Sequence, residues 1–181
     1  MTEEQPYTVL KDLGSFEIRH YPQYVLVQTN VTGDFMRAGN VAFGPLVSYI
    51  SGNNRDSQKI AMTAPVLQHS ASEQEHTVSF VLPAGMDVNS IPLPANSRVS
   101  TKVVPAHNVA AIKFGGGWNA ERFETKGREL ERLVSTAGLV PDGGVYFARF
   151  DPPWKPWFLK RNEVLIALAP EDVNPYASGH A

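Results

Sequence analysis

The order strand, glycine, helix, strand, strand runs through this chain twice, from Tyr24 to Leu82 and again from Val109 to Ala169, and no other feature restricts the fold as much. Phe35 and Ala120 stand near the two helix starts. Residue identity between the halves is negligible, so the repeat is one of architecture. Two such units predict an α+β fold: two βαββ repeats forming a distorted antiparallel β-barrel with two outer helices, and a groove where the halves meet. A length of 181 residues is enough to bury one full core, so a single domain over 1–181 is expected.

The first helix is read over Phe35 to Ile50, after a strand at Tyr24 to Val31 and a Gly33-Asp34 break in which Asp34 can cap. Its apolar residues make two faces. Phe35, Ala42, Leu46 and Tyr49/Ile50 line one, Met36, Phe43 and Val47 the other, with Asn40 between them and Arg37 the one charge inside the helix. Pro45 removes a donor and crowds Val41 one turn back, so a kink or a split is expected there. The second helix, Asn119 to Ala137, carries one stripe (Ala120, Phe123, Gly127, Leu130, Val134, Ala137) and is mostly charged elsewhere. It needs only one buried face. The first helix therefore keeps an apolar face with nothing obvious in the chain to cover it, and such a face expects a ligand or a partner.

The remaining elements follow from alternation and turn chemistry. Tyr7 to Leu13 and Phe16 to Tyr21 read as a hairpin closed at Gly14-Ser15. On the second of these strands a period of two puts Phe16, Ile18 and His20 on one face and Glu17, Arg19 and Tyr21 on the other. His20 is then either a half-buried histidine with one satisfied nitrogen or a ligand. Lys59 to Val66, between polar loops at Gly52 to Gln58 and His69 to Glu75, reads as a buried strand in which Ala61 and Ala64 leave room for a close neighbour. Further strands are expected at Thr77 to Leu82, Arg98 to Val104, Val109 to Phe114, Val145 to Phe150 and Glu163 to Ala169. Asp151-Pro152-Pro153-Trp154-Lys155-Pro156-Trp157-Phe158 joins the last two as a proline-stiffened tip whose tryptophans suggest a lip. Gly115-Gly116-Gly117 lacks both the spacing and the Lys-Ser/Thr pair of a phosphate loop and reads as a strand-to-helix turn.

Composition narrows the chemistry. A net charge of −2, with no basic cluster longer than Lys160-Arg161, gives no footprint for nucleic acid or an anionic membrane. With no cysteine, neither a disulfide framework nor a thiolate metal site is available. The acidic Met1-Thr2-Glu3-Glu4 start is unlike a secretory or transit segment, and no apolar run approaches membrane-spanning length, so a cytoplasmic protein is expected.

Three separated segments, Phe16-Glu17-Ile18-Arg19-His20-Tyr21, Lys59 to Val66 (K-I-A-M-T-A-P-V) and Asp151 to Trp157 followed by Arg161-Asn162-Glu163-Val164, resemble the signature of the SOUL haem-binding family. The resemblance spans most of the chain. It implies two βαββ repeats in a barrel related to the gyrase-inhibitor-like effector-binding domains, and haem or another tetrapyrrole as ligand. An axial histidine, where the family uses one, falls on His20. The apolar wall that other members place beside the first helix falls on Asn40, Phe43 and Val47. A cation for the propionates falls on Lys155, next to Trp157. The helix arginine of some members is Asn40 here, with Arg37 one turn earlier as a substitute. Haem asks for a flat apolar slot, a nitrogen or oxygen donor and a cation at the rim, and this chain contains all three types of residue.

Other readings stand beside this one. Met62 and Tyr49 are rival iron donors, though each is more often a core or rim residue. His69, His76, His107 and His180 fall in expected loops, strand ends or the tail, where a solvated histidine is ordinary. Glu163 resembles the cleft glutamate with which related effector-binding domains engage cationic aromatic ligands, and a carboxylate among Trp154, Trp157 and tyrosines would suit a cation. Its structural alternative is a pair with Arg161 or Arg149. A small-molecule hydrolase using Glu163 as general base comes last, because no nucleophile, base and orienter are set together.

Overall fold

Each half of the repeat builds an antiparallel sheet under one helix, and the two sheets use the same order of strands. The computed structural model describes residues 2–152 and 154–170; Pro153 of the expected tip and His180 lie outside the described residues. In chain order the elements are β1 (Glu3–Glu4), β2 (Thr8–Asp12), β3 (Glu17–Tyr21), β4 (Tyr24–Thr32), α1 (Phe35–Ile50), β5 (Thr63–Ala64), β6 (Val66–Ser70), β7 (Glu75–Val81), β8 (Val99–Val104), β9 (His107–Gly115), α2 (Ala120–Thr136), β10 (Tyr146–Arg149) and β11 (Arg161–Ala167). Short 3₁₀ turns cover Val88–Ser90 and Trp157–Leu159. The chain divides into two compact units, one of Met1–Gln5 with Tyr24–Val104 and the other of Pro6–Gln23 with Pro105–Ala181.

In the first unit the strands run β6-β7-β4-β8, all neighbours antiparallel. Asp34 caps α1 by accepting a bond from the Arg37 amide at 2.9 Å. Ala38, Ala42, Leu46, Tyr49 and Ile50 form the buried row, at helical spacing, and the core gathers Leu46 and Tyr49 with Val25, Val27, Val78, Phe80, Leu82 and Val99. Each fully buried aliphatic there contributes roughly 1.5–3 kcal/mol. The helix runs on through Pro45 and is not split. Its buried row holds both turns to the sheet, which outweighs the one lost donor.

Lys59 to Val66 is not one strand. Ile60 is buried and its amide donates to the carbonyl of Ile50, the last residue of α1, Ala61 is exposed, and pairing is confined to Thr63–Ala64 and to the strand that starts at Val66. Pro65 breaks the ladder because it has no N–H to give. Ala64 is buried as expected. Its neighbour is a strand absent from the sequence reading, β1, which pairs in parallel with β5 through Glu3↔Thr63 and Glu4↔Ala64. The loop expected from His69 is instead the end of β6, and only residues 71–74 turn.

In the second unit the strands run β10-β11-β9-β3-β2, again antiparallel throughout. Gly14, at φ +85°, closes the β2–β3 hairpin in a conformation that side chains disfavour. Asn119 caps α2, and Phe123, Gly127, Leu130 and Val134 are its buried stripe. Phe123 meets Phe114 and Phe147 edge-on, each at 5.2 Å between centroids. Gly127 lets the helix approach, since a Cβ there would stand 3.2 Å from a Val145 methyl. Both units bear out the α+β reading, one helix on one antiparallel sheet in each. No helix among the described residues is long and apolar enough to cross a membrane.

Candidate functional site

Both faces of β3 are occupied, and they are chemically opposite. Phe16 and Ile18 are buried on one face, and His20, half-buried, continues that row. Across the ladder His20 pairs with Asn108. The His20 Nδ1 lies 2.8 Å from Asn108 Oδ1. An amide oxygen only accepts, so Nδ1 carries the proton and the Nε2 lone pair is left for another partner. Asn108 is itself buried in β9, which fixes the ring orientation from behind. That is the geometry of an imidazole prepared to donate through Nε2.

The other face of β3 holds a buried ion pair. Arg19 and Glu163 are each 0 % exposed, and the guanidinium donates to both carboxylate oxygens, Nη1 at 2.8 Å and Nη2 at 2.6 Å. Arg19 also donates to the Tyr21 hydroxyl at 2.9 Å and to Glu17 at 2.7 Å, and its charge lies 4.1 Å from the centre of the Tyr7 ring. Burial works against the charged guanidinium, but Glu163 outweighs it and Arg19 holds its proton more tightly than in water. Tyr21 is held protonated, first by burial. The partner expected for Glu163, Arg161 or Arg149, is thus corrected to Arg19, with Arg161 standing off at 4.0 Å. This bidentate bond, unlike an exposed cleft carboxylate, leaves Glu163 no oxygen turned to solvent. It supports neither a cation site nor a general base there.

On α1 the outer row is apolar and half in water. Phe43 is 48 % exposed and Val41 51 %, Met36 and Val47 are partly buried, and Asn40 and Arg37 are exposed. The Phe43 ring leans edge-on against Phe80 at 5.5 Å and leaves about half of the residue in water. Val41 is on neither expected face: two residues before Phe43, it falls on the opposite flank of the helix from Met36, Phe43 and Val47.

At the tip, Lys155 is engaged: its ammonium lies 2.5 Å from Asp151, which also accepts the Arg161 amide at 2.6 Å. Burial would raise the Asp151 carboxyl, but the Arg161 amide and Lys155 outweigh it and keep it ionised below the usual range. Trp157 projects into solvent with its neighbours Trp154, Phe158 and Leu159.

The rival donors resolve into structure. Tyr49 is buried and its hydroxyl donates to the Pro92 carbonyl at 2.6 Å, and Met62 packs against the core of its unit. Two histidines expected in solvent are not there. Burial first, and then Lys102, pushes His69 down to about 4. His76 is buried between Ser70 and the Gly33 and Glu73 carbonyls. Its place was hidden because β6 and β7 extend further than the polar sequence suggested. No group of three or more metal-ligating side chains occurs among the described residues. Arg37, Asn40, Phe43 and Val47 stand together on α1 in the first unit, and His20, Lys155 and Trp157 belong to the second.

The chain matches the family model described as SOUL heme-binding protein over residues 2–167. It is 31% identical over 165 residues to Heme-binding protein 2 of Homo sapiens, covering 83% of this chain and 80% of that protein. With Heme-binding protein 1 of Xenopus laevis it shares 24% identity over 166 residues, 84% of this chain and 87% of the relative. Among solved structures the EcmrR C-terminal domain superimposes with a TM-score of 0.64 at 13% identity, covering 87% of this chain and 99% of that one, a likeness of fold alone.

Proposed function

The chain belongs to the SOUL haem-binding family, and on that premise we propose that it holds haem with Nε2 of His20 as the axial donor to iron. The observation that carries this is the His20–Asn108 bond: with Nδ1 protonated and tied to a buried amide, the imidazole is in the tautomer and orientation an iron ligand needs. Haem brings a ferric iron that accepts one such nitrogen. Everything else asked of the protein is binding, orientation and exclusion of water. Lys155 and Trp157, expected as propionate partner and lip, are not part of this site: the turn that carries them leaves the Gly115 end of β9, while His20 lies opposite Asn108 at the other end, roughly 23 Å along the strand and beyond the reach of one haem. We read the role as storage, transport or buffering, because Glu163 is closed off by Arg19.

A second reading rests on a different observation, the half-exposed row of α1. There Met36, Phe43 and Val47 would carry the ring by apolar contact, with Asn40 beside it and Arg37 one turn earlier for a propionate. Titration with ferric haem, followed at the Soret band, separates the two. His20→Ala is expected to move the band and weaken binding, and Asn108→Leu to weaken it while leaving a histidine-ligated spectrum. An unchanged spectrum and affinity in His20→Ala would discard the first reading and leave the α1 surface.

A further inference from the structure

Four large apolar side chains stand in water at the turn between β10 and β11: Trp154 is 83 % exposed, Trp157 65 %, Phe158 64 % and Leu159 55 %. Elsewhere among the described residues, no two large exposed apolar side chains are adjacent in sequence. A patch of this kind requires an explanation. Trp157 and Phe158 stand at 88° to one another with centroids 5.7 Å apart, so the two rings broaden the apex rather than stacking flat.

Four amides of the turn are bonded within it. The Lys155 amide donates to the Pro152 carbonyl at 3.2 Å, Leu159 to Pro156 at 2.9 Å, Lys160 to Trp157 at 3.3 Å, and Arg161 to the Asp151 carboxylate at 2.6 Å. Such a turn can leave water without stranding these donors, which is the main cost of bringing irregular backbone into a lipid interface. Charge completes the arrangement. Between residues 151 and 161 the chain carries Lys155, Lys160 and Arg161 against the single acid Asp151, although the protein as a whole is at −2; Lys155 pairs with Asp151, and the half-buried Lys160 and Arg161 lie over the Trp118 and Phe150 rings at 4.2 and 3.8 Å, contacts that leave their charge in place. Whole-chain charge argued against a membrane; the local balance at this turn is the opposite.

We propose that Trp154–Leu159 is a wedge that docks this protein reversibly on bilayers containing anionic lipid. Tryptophan rings sit at headgroup depth, Phe158 and Leu159 reach the acyl boundary, and Lys160 and Arg161 at the base of the turn meet the lipid charge. A convex apex of mixed rings suits a deformable interface better than a preformed pocket on a protein. The proposal does not depend on haem.

The test uses the full chain with vesicles of phosphatidylcholine alone and of phosphatidylcholine mixed with phosphatidylserine. Co-sedimentation with the mixed vesicles is expected, weaker with the neutral ones and falling as salt is raised, with tryptophan emission quenched by brominated acyl chains. Trp154→Ser/Phe158→Ser is expected to lower partitioning about tenfold or more, since each removes most of a ring's transfer free energy. Both side chains are exposed, so circular dichroism should match the parent. Equal partitioning of the double variant would overturn the proposal. Wild-type protein that ignores both vesicles would overturn it as well: toward a second copy if sedimentation velocity shows dimers that the double variant lacks, and toward a lip over the ligand if ferric haem protects the tip from a collisional quencher.

Discussion

The two helices solve the same packing problem with different sequences. α2 buries Phe123, Gly127, Leu130 and Val134 and turns charged residues outward, where Lys126 meets Glu129 at 3.1 Å and Arg128 meets Glu124 at 2.9 Å. α1 buries a row at Ala38, Ala42, Leu46 and Tyr49 and still presents Val41 and Phe43 to water, with no such pairs on its surface. A helix on a sheet needs one apolar stripe. The second unit shows the requirement met without surplus, so the surplus on α1 is there for something other than the fold. The sheets differ in the reverse sense. The core under α1 takes in the neutral Gln68, which donates to the Phe35 carbonyl, but no ion pair among the described residues, whereas the second unit buries Arg19 and Glu163 on the sheet face away from α2. Exposed apolar surface and buried charge are thus assigned to different halves of one repeated plan.

The largest expected effect tests that buried charge. Arg19→Met leaves the fully buried Glu163 carboxyl with no partner of equal geometry, and breaking such a pair costs about 3–5 kcal/mol. Guanidinium unfolding should show that loss, and Arg19→Met/Glu163→Leu should recover most of it, because removing both charges also removes their desolvation penalty. A loss below about 1 kcal/mol in the single variant would mean that the pair does not organise the second unit.

A smaller effect comes from acid in the first unit. The folded His69 imidazole titrates at about 4, against 6.5 when unfolded. Between those values the unfolded chain binds more protons, so stability rises with pH across the window. It is lost as pH falls from 6.5 toward 4, by at most about 3 kcal/mol, and His69 contributes no pH dependence above that range. His69→Gln should flatten this part of the profile in urea titrations at a series of pH values. An unaltered slope would show that the imidazole is not held neutral.

Much of this architecture is legible in the sequence because it depends on short-range pattern. The period of two in Tyr24 to Val31, the glycine at the hairpin and the stripe of α2 each encode an element locally, and the repeat encodes the order of strands in each sheet. What was not legible depends on contacts distant in sequence. Arg19 was seen to share a face with Glu17 and Tyr21, but its partner lies 144 positions away and no pattern marks it. Ala61 and Ala64 look alike in sequence and part company because only Ala64 meets β1, a two-residue strand too short to leave a periodic signal. Of the candidate site, the residue His20 was legible and its tautomer was not, since that is set by Asn108 across the ladder.

The smallest expected effect on stability discriminates most sharply between the helices. Phe43 rests edge-on against Phe80 and is 48 % exposed, so Phe43→Ser should change unfolding free energy by no more than about 1 kcal/mol. Leu46, three residues on and 0 % exposed, is the internal reference, and Leu46→Ala should cost about 2–5 kcal/mol. If the outer row of α1 binds a tetrapyrrole, Phe43→Ser should nonetheless weaken ferric haem by about tenfold, the worth of covering half an aromatic side chain. The same replacement on the solvent side of α2 should affect neither quantity. A stability loss in Phe43→Ser as large as that in Leu46→Ala would make the outer row a packing surface, and α1 would then differ from α2 in composition and not in purpose.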